Sequence, residues 1–220
     1  MARTPISSAD HRKRVQLIAQ ALQNSMPEAQ VELDHRTPWE LLVATILSAQ
    51  CTDQRVNQVT PELFRRYKTP ADLAKANLSD VERIIRSTGF FKSKARSIVA
   101  CGLAVTERFG GQVPDTMDEL VSLPGVGRKT ANVLLGNAFG QPAIIVDTHV
   151  KRVSNRLGLT TSEDPEQIEK DLQQLLPPAQ WTGVSQRLLL HGRYLCLARK
   201  PQCGRCPIYD YCSAKEKVPR

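Results

Sequence analysis

Three observations predict an all-α fold. Helix start signals recur along the chain, glycines stand where helices would stop, and strand signals are nearly absent. Asp10 precedes a run that puts Val15, Ile18 and Leu22 on one face. Thr37-Pro38-Trp39-Glu40 reads as a capping box with proline at the first helical position. Thr69-Pro70-Ala71-Asp72 repeats that pattern. Ser79 with Glu82, Thr116 with Glu119, and Asp164-Pro165-Glu166-Gln167 extend it. Gly89, Gly110-Gly111 and Gly158 read as C-terminal stops. One β-branched stretch, residues 143–146, is too short and isolated to argue for a sheet.

The 220 residues suit one large domain or two small ones. No apolar run approaches the ~18 residues needed to span a membrane. The longest, residues 41–49, already contains Thr45 and Ser48. Residues 1–14 are basic but lack a following apolar segment, so no secretory signal is expected and the cytosol is the expected compartment. The formal charge of +8 suits a nucleic-acid partner, because neutralised phosphates release counterions. Charge alone suits a merely basic soluble protein equally well.

The most informative stretch runs from Glu119 to Ala138. A helix opened by Thr116 should end near Leu123, because the ring of Pro124 blocks its continuation. Gly125-Val126-Gly127 then makes a tight turn, with two glycines able to take positive φ and to leave backbone N–H groups uncovered. A second helix should start near Arg128, its positive end aimed at the turn, an arrangement that suits a DNA phosphate. Taken alone, this is also an ordinary helical hairpin. Farther on, Asp147 precedes a helical pattern through Val150, Val153 and Leu157, where its plainest role is an N-cap.

Four of the six cysteines crowd the C-terminus as Cys196-x6-Cys203-x2-Cys206-x5-Cys212. Clustered thiols in a cytosolic chain point to metal rather than disulfides. Four thiolates can hold zinc or a cubane iron–sulfur cluster. Zinc sites usually show two short Cys-x2-Cys pairs, and only one occurs here. Residues 191–220 hold seven Lys/Arg against two Asp/Glu, with Arg199, Lys200 and Arg205 flanking the ligands. Cys51 and Cys101 read as inert core thiols in helical surroundings.

The complete string Leu123-Pro-Gly-Val-Gly-Arg-Lys-Thr-Ala-Asn132, the Val146-Asp-Thr-His-Val150 segment and the 6-2-5 cysteine spacing together resemble the helix-hairpin-helix DNA glycosylases, and within them the endonuclease III family. The resemblance covers residues 11–212. It implies a central helical bundle at residues 31–145 and a discontinuous domain, residues 1–30 plus 146–220, that carries a [4Fe–4S] cluster on Cys196, Cys203, Cys206 and Cys212, with the active cleft between the two. It implies a monomeric enzyme of base excision repair that removes oxidised pyrimidines from double-stranded DNA and cuts abasic sites. Lys129 matches the family's nucleophile and Asp147 its catalytic carboxylate. An amine attacks only when neutral, and an ordinary lysine is almost wholly protonated at neutral pH. Arg128, the helix N-terminus and burial are expected to help discharge it. His149 would line the site, and Gly125, Gly127 and Arg128 would meet the DNA backbone, as would Arg199, Lys200 and Arg205.

Such an enzyme must flip its target nucleotide and fill the gap. Ser48-Ala-Gln-Cys-Thr-Asp53 resembles the family segment in which Gln50 enters the vacated space. Its plainer reading is a helix terminus capped by Thr52 or Asp53. In Gly89-Phe-Phe-Lys-Ser-Lys-Ala95, Phe90 stands where relatives often place an aliphatic wedge; otherwise it belongs to the core. A second departure is Val121, where bacterial relatives often carry glutamate two residues before the Leu-Pro-Gly. Two rivals are an adenine-specific mismatch glycosylase, which lacks the lysine and usually has a further C-terminal domain, and a DNA-binding module without catalysis. Lys129, Asp147 and the chain's end at Arg220 weigh against them.

Overall fold

The computed structural model describes residues 8–218; residues 1–7, part of the basic stretch read above for a targeting signal, lie outside the described residues. The helices are α1 (Ser8–Ser25), α2 (Pro38–Leu47), α3 (Asp53–Arg66), α4 (Pro70–Ala74), α5 (Leu78–Ile85), α6 (Phe91–Phe109), α7 (Met117–Val121), α8 (Arg128–Asn137), α9 (Thr148–Leu157), α10 (Pro165–Leu175) and α11 (Trp181–Tyr194). Short 3-10 turns fill several connections. Among the described residues there is no strand, and no helix is long and apolar enough to cross a membrane.

The caps explain most of the boundaries. Thr37, Thr69, Thr116 and Asp164 each accept from the backbone N–H three residues on, satisfying donors that a helix start leaves orphaned. Only Thr69 with Asp72 closes a reciprocal box; the Glu40 carboxylate accepts from the Arg36 N–H instead. Gly110 and Gly158 end their helices in the left-handed conformation. Gly89 stops the helical run as read, closing a 3-10 turn at Arg86–Thr88 that continues from α5. Two expectations need correction. Asp10 lies inside α1, which already begins at Ser8. The cap of α5 is Asn77, whose side chain accepts from the Ser79 N–H, rather than Ser79 itself.

The chain divides into two compact units, Val31–Gln141 and Met1–Gln30 with Pro142–Arg220. The first contains α2–α8. Its centre is α2, buried from Leu41 to Leu47 and packed against α3, α6 and α8. Each fully buried leucine there contributes roughly 1.5–3 kcal/mol. The short helix α4 lies tight on α6 at Gly102, where a Cβ would sit 2.8 Å from the Pro70 carbonyl oxygen.

The second unit contains α1 and α9–α11. Val15, Ile18 and Leu22 are buried as their spacing predicts, and α1 packs on α11. The Arg14 guanidinium donates to the Tyr211 carbonyl at 2.8 Å. Arg187 of α11 donates to the carbonyls of Met26 and Pro27, just after α1. Helices α9 and α11 meet at Gly192, where a Cβ would lie 2.9 Å from the Cβ of His149. Residues 143–146, with the β-branched Ile144, Ile145 and Val146, are buried without a sheet. Hydroxyls one turn apart on α11 explain this: Thr182 Oγ1 accepts from the Ala143 N–H and Ser185 Oγ from the Ile145 N–H, each at 3.2 Å. Alternate N–H groups of the segment thus find acceptors on a helix, and no partner strand is needed.

Candidate functional site

In the Val31–Gln141 unit the glycine turn joins α7 to α8. Only Gly125 uses positive φ, at +79°. Gly127, at φ −103°, caps α8 in an extended conformation, which corrects the expectation that both glycines supply left-handed backbone. A Cβ on Gly125 would lie 2.8 Å from the Cβ of Ser97 on α6 and 3.5 Å from Ile46 on α2, whereas one on Gly127 would meet nothing. Gly125→Ala is therefore expected to destabilise the protein by about 1–3 kcal/mol, and Gly127→Ala to leave thermal unfolding nearly unchanged. Comparative melting of the two variants checks this.

The hairpin turn rests on two helices that carry the other predicted DNA-probing segments. Helix α2 ends just before Gln50, and α6 begins just after Phe90. Gln50 is exposed with φ +52°. Thr52, next to it, caps α3 by accepting from the Arg55 N–H, so the capping and probing readings of this segment are compatible. Phe90 has φ +47° and is 68% exposed, which removes the core alternative. Lys129 and Arg128 are exposed in the first turn of α8; the burial expected around Lys129 is not provided by the protein itself. Val121 is exposed at the end of α7, and Glu119 is engaged with the Thr116 hydroxyl at 2.7 Å. Cys101 is buried in α6, and burial pushes its thiol up to about 12. Cys51 departs from expectation: it is half-exposed in the loop between α2 and α3, not in a helix.

In the other unit, Asp147 caps α9. Its Oδ1 accepts from the N–H groups of His149 and Val150, both at 2.8 Å. Its Oδ2 has no hydrogen-bond partner among the described residues, so one oxygen holds the helix start while the other stays available. His149 is half-buried, its Nδ1 3.2 Å from Arg152 Nη2.

The four C-terminal cysteines line one small cavity of about 30 Å³ together with His191 and Arg156. None is in a disulfide. Among the described residues no three His, Cys, Asp or Glu side chains converge closely enough to share a single ion. One zinc, with Zn–S bonds near 2.3 Å, would draw its four sulfurs to within about 4 Å of one another. Four thiols around one cavity supply the four ligands that a cubane iron–sulfur cluster takes. Burial pushes the Cys206 thiol up to about 11, and the other three cysteines add to this; a bound metal would reverse that preference by taking the thiolate as ligand.

Two arginines of α9, four residues apart and therefore on one face, were not anticipated from sequence. Arg152 donates to the carbonyls of Gly192 and Cys196. Arg156 donates to Cys196 Sγ at 3.2 Å and to the carbonyls of Leu197 and Ala198, and pairs with Glu216 at 2.7 Å. It thereby ties the start of the cysteine loop to its far end. Arg156→Ala is expected to speed chelator-driven bleaching of the cluster's visible absorbance by roughly 10–100-fold. Arg199, Lys200 and Arg205 are all exposed on this loop, and Lys200 adopts φ +53°.

Comparison with known proteins agrees with this geometry. Residues 43–178 match the model of the HhH-GPD superfamily base excision DNA repair proteins, and residues 196–212 match the iron–sulfur binding domain of endonuclease III. Endonuclease III of Synechocystis sp. is 49% identical, covering 94% of this chain and 95% of that protein. A structure of a non-covalent endonuclease III–DNA complex superposes with a TM-score of 0.88 at 44% identity, covering 92% of this chain and 95% of the other. A trapped covalent endonuclease III–DNA intermediate gives the same values. The cofactor of the cysteine loop is a [4Fe–4S] cluster, and the chain belongs to the endonuclease III family of the HhH-GPD superfamily of base excision DNA repair proteins.

Proposed function

We propose that this enzyme excises oxidised pyrimidines from duplex DNA and cleaves the strand at the resulting abasic site, with Lys129 as nucleophile and Asp147 as the catalytic carboxylate. The observation that carries this reading is the placement of Lys129, exposed in the first turn of α8 directly behind the Gly125 turn. An amine there can reach a nucleotide whose phosphate the helix N-terminus holds.

The neutral Nζ attacks C1′ of the damaged nucleotide. The C1′–N bond breaks, and the base leaves with the electron pair and takes up a proton. The carboxylate of Asp147 stabilises positive charge developing on the sugar and helps relay protons. Opening of the sugar ring gives an iminium between Nζ and C1′. Loss of a C2′ proton then lets the electrons expel the 3′ phosphate. Gln50 and Phe90 would fill the gap left by the flipped nucleotide. Gly125, Gly127 and Arg128 at the hairpin, with Arg199, Lys200 and Arg205 on the cysteine loop, would bind phosphates, and His149 would line the site beside Asp147. The four cysteines would hold the cluster as a structural organiser of that loop, and the place of action would be chromosomal DNA in the cytoplasm.

The test is borohydride trapping on a duplex with one abasic site. Reduction turns the transient iminium into a stable protein–DNA crosslink. A crosslink supports the reading. Its absence in protein that still binds the duplex overturns the bifunctional mechanism and points to a hydrolytic glycosylase.

A further inference from the structure

Phe90 projects from a turn that side chains ordinarily avoid. Gly89 has φ +69°, ψ 156°, and Phe90 has φ +47°, ψ +27°. These are successive positive-φ residues, the second with a bulky side chain. Such backbone persists only where its surroundings over-determine it. Here the Phe90 carbonyl accepts from the backbone N–H of Lys94 and from Ser93 Oγ, both at 3.0 Å. On the other side of the turn, Thr88 is buried, and its Oγ1 donates to the Ile85 carbonyl at 2.8 Å. Its carbonyl accepts from Lys94 Nζ at 2.8 Å.

One residue therefore holds both sides of the Gly89-Phe90 turn, its main chain gripping Phe90 and its ammonium gripping Thr88. That residue is only 5% exposed, the one buried lysine among the described residues. Burying an ammonium is unfavourable unless it is hydrogen-bonded. Burial lowers the proton affinity of Lys94. An apolar side chain would fill this position at lower cost, so packing alone does not account for a lysine.

We propose that Lys94 is a positioning residue for base extrusion: by locking the Thr88 carbonyl beneath the turn, its ammonium fixes Phe90 in a projecting, left-handed state before DNA arrives. The inference rests on the reading of Phe90 as the wedge.

The experiment compares wild type, Lys94→Met, Phe90→Ala and the double variant in single-turnover borohydride trapping, on an abasic duplex and on the same abasic single strand. The single strand has no base stack to invade and so needs no wedge. Lys94→Met is expected to lose roughly 10–100-fold on the duplex and nothing on the single strand. Phe90→Ala is expected to show the same pattern, and the double variant to be no worse than Phe90→Ala, because both act through one ring. Equal losses on both substrates, or losses that multiply in the double variant, overturn the positioning role. So does a duplex rate unchanged in Lys94→Met while Phe90→Ala is impaired. A duplex rate unchanged in Phe90→Ala overturns the wedge reading itself. Should Lys94→Met not fold, Lys94→Gln takes its place in both arms; its amide stops one bond short of the ammonium, so the duplex-specific loss is expected again.

Discussion

Lys129→Ala is expected to abolish the borohydride crosslink and to lower strand cleavage at an abasic site by at least about 10⁴-fold, the scale of removing a covalent nucleophile. Fold and DNA affinity should survive. Lys129 is exposed in the first turn of α8, and alanine is the better helix former, so unfolding should shift by less than about 0.5 kcal/mol. One cation among many lost from the DNA-facing surface should weaken binding only several-fold. Trapping, melting and gel-shift binding on the same preparations check the three statements. A Lys129→Ala protein that still crosslinks at the wild-type rate would assign the nucleophile elsewhere.

The second large effect separates the two roles of Asp147. Asparagine is as good an N-cap as aspartate, and its Oδ1 can still accept from His149 and Val150 as the native oxygen does. Asp147→Asn should therefore fold with nearly native stability while losing the negative charge. Release of an oxidised pyrimidine is expected to slow by about 10²–10⁴-fold, whereas trapping on a preformed abasic site, where no base must leave, should fall much less. Asp147→Ala removes the cap too and should cost about 1 kcal/mol more in stability. If Asp147→Asn releases bases at the wild-type rate, the residue is a cap and nothing else.

What the sequence disclosed and what it hid follow from the range of the interactions involved. Thr37, Thr69, Thr116 and Asp164 cap their helices as read, because a cap is set by residues three positions apart. The Leu123–Gly127 turn and the buried stripe of α1 are equally local. The β-branched residues 143–146 misled only weakly, but their real partners, Thr182 and Ser185, lie some forty residues away. The same distance hid Arg152 and Arg156, whose acceptors lie at the end of α11 and on the cysteine loop. Cys51 was misplaced because α2 ends at Leu47, four residues before it, and the loop that follows exposes it. Lys94 looked like any polar helix residue, since nothing in a one-dimensional pattern separates a solvated ammonium from one turned inward onto a carbonyl.

The discontinuous unit also imposes an order on biosynthesis. Residues 31–141 are contiguous and can pack as soon as they clear the ribosome. Helix α1 is made before them, yet its anchors are Tyr211 and Arg187, which emerge after them. At about 5–20 residues per second, the nascent N-terminal helix waits on the order of ten to forty seconds with its apolar stripe of Val15, Ile18 and Leu22 uncovered. Iron–sulfur assembly cannot precede synthesis of Cys212, so metal loading and docking of α1 both wait on the segment that carries Tyr211 and Cys212. A ribosome stalled before Tyr211 would thus hold a folded glycine-hairpin unit and an amphipathic helix whose apolar stripe still lacks its partner.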